Sequence, residues 1–175
     1  MQALTRAEIK KLLAEVPTDR QRLMFVVTFN HGLRVSEVIN LTGNSIRDGF
    51  VTVQRLKGSL KTIQPFMSNS DPEFDEVERL TELARTSGAN ERLFPMDRYA
   101  VYYLMQKCGK QAGLPKHKLH PHCLKHAVAL ATIRTAGIEN VRQWLGHKSI
   151  SSTGEYLRVS DDAAAQAVAR AMSLA

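Results

Sequence analysis

A chain of 175 residues with 43% apolar composition is long enough for one globular core, which buries roughly two thirds of the unfolded surface. No apolar run approaches the ~20 residues needed to cross a bilayer, and the start, MQALTRAEIKK, has no apolar signal segment, so a soluble cytoplasmic protein is expected. Two cysteines, Cys108 and Cys123, are too few for a disulfide framework and read as free thiols. The net charge of +7 is localised: residues 107–158 hold nine Lys or Arg against two Asp or Glu, with five of the six histidines beside or among them. Such an excess suits a polyanion-binding face, because each neutralised phosphate releases counterions. The plainer alternative is a solvated basic surface.

The elements follow in chain order. Thr5 and Glu8 predict a capping box for a first helix whose buried stripe is Leu4, Ile9, Leu12, Leu13 and Val16, and Pro17 ends it. A second helix is expected from Asp19 to His31, with Gly32 as its stop, and a short one from Ser36 to Leu41. Residues 49–66 alternate Val51 and Val53 with Thr52 and Gln54, and Lys57-Gly58 supplies a turn before Ile63, so they predict a β-hairpin. An acidic helix over 71–85 would turn Phe74, Val77 and Leu80 inward and its charge to water. Another helix covers 97–109, with Tyr99, Tyr102 and Tyr103 read as packing residues. After a Gly/Pro-rich basic connector come a helix from His122 to Ala136, a break at Gly137, a short helix to Leu145, a turn at Gly146, a further short helix carrying Tyr156, and a tail helix over 160–175. Ala164, Val168, Ala171 and Met172 form its apolar stripe. The fold class is mainly α with a small antiparallel β-hairpin or sheet.

Four separated pieces carry chemistry: HGLRVSE (31–37), RLKGSLK (55–61), HPHCLKHA (120–127) and LGHKSISSTGEY (145–156). Together they supply cations, imidazoles and a tyrosine, the groups needed for phosphoryl transfer to a protein hydroxyl. The third piece also admits a metal reading, since His122 and His126 lie one turn apart with His120 and Cys123 nearby. No compact further ligand motif accompanies it, so no metal or other cofactor is expected, and His126 reads as a capping or packing histidine.

In order and spacing these pieces resemble the catalytic domain of the tyrosine recombinases, the phage integrase family. That family has an arginine in a G-x-R-x-x-E context, a hairpin lysine, H-x-x-R, L-G-H, and a tyrosine nine residues after that histidine. Here stand Gly32, Arg34 and Glu37, then Lys57, then His122 with Lys125, then Leu145, Gly146 and His147, then Tyr156. HGLRVSE, RLKGSLKT and HPHCLKHA look most like the single-domain fimbrial inversion members, which favours one catalytic domain over 1–175 without a separate N-terminal clamping domain. The resemblance implies DNA cleavage and rejoining through a 3′-phosphotyrosyl link on Tyr156, on double-stranded recombination sites. It further implies dimers or tetramers on DNA, accessory DNA-bending proteins as partners, a prokaryotic, phage or mobile-element setting, and a tail commonly exchanged between subunits.

The roles implied match physical need. Arg34 would clamp the non-bridging oxygens, since a guanidinium fork suits them, and Glu37 would steady it from one turn on. A phenol with a reference pKa near ~10 needs cations and an acceptor, and His122, Lys125 and His147 would surround the phosphate or the tyrosine. Lys57 would protonate the leaving 5′ oxygen, with Lys61 as its fallback. Trp144 reads as a core anchor for His147, and Lys61, Lys116, Lys118, Arg142 and Lys148 as DNA contacts. One departure stands out: Lys125 occupies the place of the family's second arginine. A lysine keeps the charge but loses the planar fork, at a cost of ~1–3 kcal/mol in the transition state, a tenfold to hundredfold slower step. The alternatives are a DNA-binding regulatory relative with impaired cleavage, or a type IB topoisomerase-like enzyme.

Overall fold

The computed structural model describes residues 3–55, 60–154, 156, 168, 169 and 172. Helix α1 (Arg6–Glu15) opens on the expected capping box, in which the Glu8 backbone N–H donates to Thr5 Oγ1 and the Thr5 N–H donates to Glu8 Oε2 at 2.7 Å. Its stripe of Ile9, Leu12 and Leu13 is buried and packs on α5 (Arg98–Gln111). Helix α2 (Asp19–Asn30) is buried from Leu23 onward, which is why it shows almost no amphipathic period and serves as the central core rod. Gly32 ends it at φ +58, and a Cβ there would run into Leu145 Cδ2, so a side chain is excluded by conformation and by space.

Helix α3 is shorter than expected, Val35–Val38, because Leu41 turns inward and a 3₁₀ turn over Gly43–Ser45 follows. The hairpin is part of a three-stranded antiparallel sheet: β1 (Ile46–Arg47), β2 (Phe50–Val53) and β3 (Thr62–Pro65), with Val51 opposite Gln64 and Val53 opposite Thr62. Val51 and Val53 face the core, as their alternation required.

The acidic helix begins six residues later than its composition suggested, as α4 (Val77–Thr86). Asp71 and Asp75 spend their carboxylates on the backbone N–H groups of Glu73, Asn69 and Val77, holding the preceding residues in turns that compete with helix. Phe74 and Leu80 are buried as expected, but Glu76 is buried as well, against the expectation that the charge of this segment faces water. Helix α5 corrects another reading. Its inward face is Val101, Leu104, Met105 and Cys108, which leaves Tyr99, Tyr102 and Tyr103 on the outside, 85%, 49% and 69% exposed.

Helix α6 (His122–Ala136) packs on α2 and buries Cys123, Leu124, Ala127 and Val128, and α7 (Ile138–Trp144) follows Gly137, which sits at φ +81. A short helix, α8 (Ser151–Gly154), follows, and it ends before Tyr156 rather than carrying it as expected. Most of the tail helix read over 160–175 lies outside the described residues; Val168 and Met172 of its stripe are exposed. Among the described residues no helix is long and apolar enough to cross a membrane.

Candidate active site

The site gathers around the first turns of α6. His122, Lys125 and His126 are spaced i, i+3 and i+4, so they share one face of the helix. Their neighbours come from three turns: the GLR turn after α2, the start and end of the β2–β3 connection, and the LGH turn after α7.

Arg34 stands at the N-cap of α3 with extended backbone, and Glu37 at the third helical position folds back on it. Glu37 Oε2 accepts the Arg34 backbone N–H at 2.8 Å, and Oε1 accepts Arg34 Nη1 at 2.8 Å. Glu37 thus meets Arg34 at both its backbone and its guanidinium. Glu37 also meets a residue that sequence reasoning did not assign. Arg55, buried at the end of β2, donates through Nη1 to Glu37 Oε2 at 3.0 Å and to the Gly32 carbonyl, through Nη2 to the carbonyls of His31 and Trp144, and through Nε to Thr62 Oγ1. Burial alone would push the Glu37 carboxyl up, but the Arg34 N–H and the charges of Arg55 and Lys125 overcome it and hold it below the usual carboxylate range.

Lys125 is buried with its Nζ donating to the Gly32 carbonyl at 2.8 Å and the Leu145 carbonyl at 3.2 Å. Burial, joined by the charges of Arg55 and Arg34 and opposed by Glu37, pulls its pKa down to about 7. The lysine in the arginine's place thus ties the GLR turn to the LGH turn.

His147 follows Gly146, whose φ of +67 makes the turn, and a Cβ on Gly146 would lie 2.9 Å from Arg55 Cγ and from the Leu60 carbonyl. The β2–β3 connection docks on the same turn, since the Leu60 N–H donates to the Gly146 carbonyl at 3.1 Å. His147 Nδ1 and Thr153 Oγ1 share a 2.9 Å hydrogen bond, and burial together with Lys125, Arg34 and Arg55 pulls the imidazole down to about 4. Trp144 is partly buried: its ring stacks on His31 at 6.0 Å and its Nε1 donates to the Asn30 carbonyl. Beneath it lies a buried polar chain in which His31 bridges Gln64 Oε1 at 2.8 Å and Glu76 Oε1 at 2.6 Å, while Gln64 Nε2 donates to the Trp144 carbonyl.

Tyr156 is 8% exposed. Its hydroxyl shares a 2.7 Å hydrogen bond with His126 Nδ1, so His126 is neither a cap nor a packing histidine alone. Burial raises the phenol to about 12, with the charge of Arg34 pulling the other way. His126 falls to about 4 through burial and the neighbouring His122, His120 and Lys125 charges. His122 is exposed at the mouth, lowered by partial burial, Arg34 and Lys125. Beside it an open groove of about 540 Å³ runs past Val35, Arg98, Tyr99 and Tyr102.

Lys57 lies outside the described residues, between the two docked ends Arg55 and Leu60. Lys61, Lys116 and Lys148 are exposed. Two of the residues expected on DNA are otherwise engaged: Lys118 pairs with Glu8 at 2.8 Å, and Arg142 pairs with Glu139 at 2.9 Å while donating to the His147 carbonyl. Among the described residues no group of three or more His, Cys, Asp or Glu side chains is placed to hold a metal ion. The contact of Cys123 Sγ with His120 Nε2, 3.1 Å, is a local pair. The residues missed from sequence are Arg55, Thr153 and the His31–Glu76–Gln64 chain; the only signal for them was polar residues inside otherwise apolar or β-alternating runs.

The chain resembles known proteins along most of its length. The tyrosine recombinase XerA of Pyrococcus furiosus is 32% identical over 97% of this chain and 61% of its own length, so the chain spans about six tenths of that relative. The catalytic domain of bacteriophage HP1 integrase superposes with a TM-score of 0.66 at 25% identity, covering 96% of this chain and 94% of that one. A lambda integrase dimer bound to a COC′ core site superposes at 0.74 with 21% identity over 89% of this chain and 47% of that one, a likeness of fold. The model of the phage integrase family matches residues 2–163, and the chain belongs to that family, the tyrosine recombinases.

Proposed function

We propose that this chain cleaves and rejoins DNA strands at specific sites through a covalent 3′-phosphotyrosyl intermediate on Tyr156. The observation that carries the reading is the meeting of the Tyr156 phenol with the α6 face of His122, Lys125 and His126 under the charge of Arg34, next to an open groove.

In this reading Arg34, pre-set by Glu37, donates to the non-bridging oxygens of the scissile phosphate, where charge grows as the phosphorus becomes five-coordinate. His122, at the mouth, and His147, held by Thr153, present neutral imidazoles to the same oxygens. Lys125 contributes positive charge from behind rather than a second fork. The Tyr156 oxygen bonds to phosphorus, the bond to the 5′ oxygen breaks, and Lys57, with Lys61 as fallback, protonates that oxygen. The phosphotyrosyl bond conserves the energy of the phosphodiester, so a 5′ hydroxyl from another strand reverses the step without ATP. The lambda integrase dimer on its core site supports double-stranded DNA as substrate and more than one subunit at work.

A random pool of nicked duplexes incubated with the chain tests this. The expected result is a denaturant-resistant protein–DNA adduct, lost in Tyr156→Phe, and sequencing of the captured strands then defines the site. No adduct with intact DNA binding would support the second reading, a DNA-binding relative disabled at Lys125, which the commitment of Nζ to two backbone carbonyls favours. Relaxation of supercoiled DNA without a site requirement would support a topoisomerase-like enzyme.

A further inference from the structure

His126 is absent from the roles assigned above, yet it is the side chain in contact with the oxygen that must react. Its Nδ1 lies 2.7 Å from the Tyr156 hydroxyl, with ring centroids 5.7 Å apart. The His122 ring stands edge-on to His126 at 6.0 Å, so the phenol is held one helical turn from the histidine at the mouth. The charge of Arg34 is felt by both Tyr156 and His122, so the held phenol lies on the same side of the fold as the arginine. Burial, with the positive charge of Lys125 beside it, disfavours a resident proton on His126, which is neutral at pH 7 with a pKa of about 4. A neutral imidazole in the tautomer that carries its proton on Nε2 offers the Nδ1 lone pair as acceptor of the hydroxyl proton.

We propose that His126 is a further catalytic residue: its Nδ1 holds the Tyr156 phenol and takes the phenolic proton as the new oxygen–phosphorus bond forms. The inference rests on the strand-cleavage reading above and adds a proton acceptor to it. The Tyr156 oxygen gives its proton to His126 Nδ1 and an electron pair to phosphorus. The phosphorus–5′ oxygen bond breaks, and the departing oxygen keeps that bond's electron pair and takes its proton from the lysine assigned above. In rejoining, a 5′ hydroxyl gives its proton back to that lysine as its oxygen attacks phosphorus, the bond from phosphorus to the Tyr156 oxygen breaks, and His126 returns its proton to the departing phenolate oxygen. Transfer accompanies attack instead of preceding it, because the phenol becomes acidic only as its oxygen bonds to phosphorus, while the entering phosphate favours a charged imidazole.

The test is the rate of adduct formation by the full chain on a pool of random-sequence nicked duplexes, in single turnover. His126→Ala should slow it by about 10²-fold or more. His126→Asn, whose side-chain amide can replace Nδ1 as a hydrogen-bond partner but cannot take a proton, should stay as slow. Imidazole in the buffer should raise the rate of His126→Ala several-fold and leave Tyr156→Phe without adduct. A rate for His126→Ala within threefold of wild type would overturn the proposal, and so would a wild-type rate for His126→Asn, since holding alone would then suffice. If His126→Ala fails to fold, as judged by its thermal melt, the comparison of His126→Asn with wild type decides. Absence of adduct from the wild-type chain would instead end the strand-cleavage reading itself, which keeps the two failures apart.

Discussion

The ammonium of Lys125 lies 2.8 Å from the carbonyl oxygen of Gly32, so the side chain standing where the family has an arginine is anchored on the turn that also carries Arg34. That anchoring has two measurable consequences. The first is catalytic. With its pKa at about 7, Lys125 loses its proton as pH rises through neutrality, and positive charge leaves the site. Adduct formation by the wild type should therefore decline above pH 7, whereas Lys125→Arg stays charged, runs level to pH 9, and is about tenfold to hundredfold faster at its plateau. Equal profiles for the two proteins would remove Lys125 from the phosphate site. The second is thermodynamic. Between about 7 and the ordinary lysine value of 10.5 the unfolded chain holds a proton that the folded chain has released, so stability rises with pH across that window. Urea melts of Lys125→Met should lose this rise, each pH unit of which corresponds to at most about 1.4 kcal/mol.

Arg55 is predicted to matter more for stability than any exposed cation. Its guanidinium occupies the junction of the GLR turn, the sheet and the LGH turn, through Glu37, Thr62 and the carbonyls of His31, Gly32 and Trp144. Removing it leaves the Glu37 carboxylate buried beside fewer donors, the circumstance in which loss of one partner costs about 3–5 kcal/mol. Arg55→Met should show that loss in urea unfolding. Arg55→Lys should recover only part of it, because one ammonium cannot serve five acceptors. A change below about 1 kcal/mol in both would show that the junction repacks without it.

The contrast between Arg34 and Arg55 shows what could be read from the chain. Arg34 and Glu37 were legible as candidates because they fill the G-x-R-x-x-E pattern of the family the chain resembles, at helical spacing, and His122 and Lys125 because they fill its H-x-x-R pattern. Arg55 was not, since three of its acceptors are backbone carbonyls, and a carbonyl leaves no trace in residue type. The same holds for Lys125, whose identity was visible but whose anchoring on Gly32 and Leu145 was not. His126 was visible as a residue and misread, because its contact with Tyr156, thirty positions away, is made by tertiary packing that residue type does not show. The exposed tyrosines of α5 were misjudged on type alone; an inward stripe of Val101, Leu104, Met105 and Cys108 already fixes their face.

Acid should destabilise the fold through its neutral imidazoles. His126 and His147 sit at about 4 in the folded chain, well below the ordinary histidine value of 6.5. Across that window the unfolded chain binds protons that the folded chain refuses, so their contribution is complete above pH 6.5 and is lost as pH falls toward 4. Denaturant melts should show stability falling over this range. The combined His126→Phe and His147→Phe variant should flatten the fall, and an unchanged slope in it would assign acid sensitivity to other groups.

Lysines along the basic segment should separate into two classes when DNA binding is titrated with salt. Lys116 and Lys148 are exposed, and each is expected to neutralise one phosphate, whereas Lys118 already pairs with Glu8 at 2.8 Å. With a random-sequence duplex and fluorescence anisotropy, Lys116→Ala and Lys148→Ala should each lower the slope of log K against log salt by about 1. Lys118→Ala should leave that slope unchanged and instead cost up to about 1 kcal/mol of stability, because it frees Glu8 from its partner across α1 and the connector. Should Lys118→Ala alter the slope as much as Lys116→Ala, DNA must break the Glu8 pair on binding, and the basic face extends to the edge of α1.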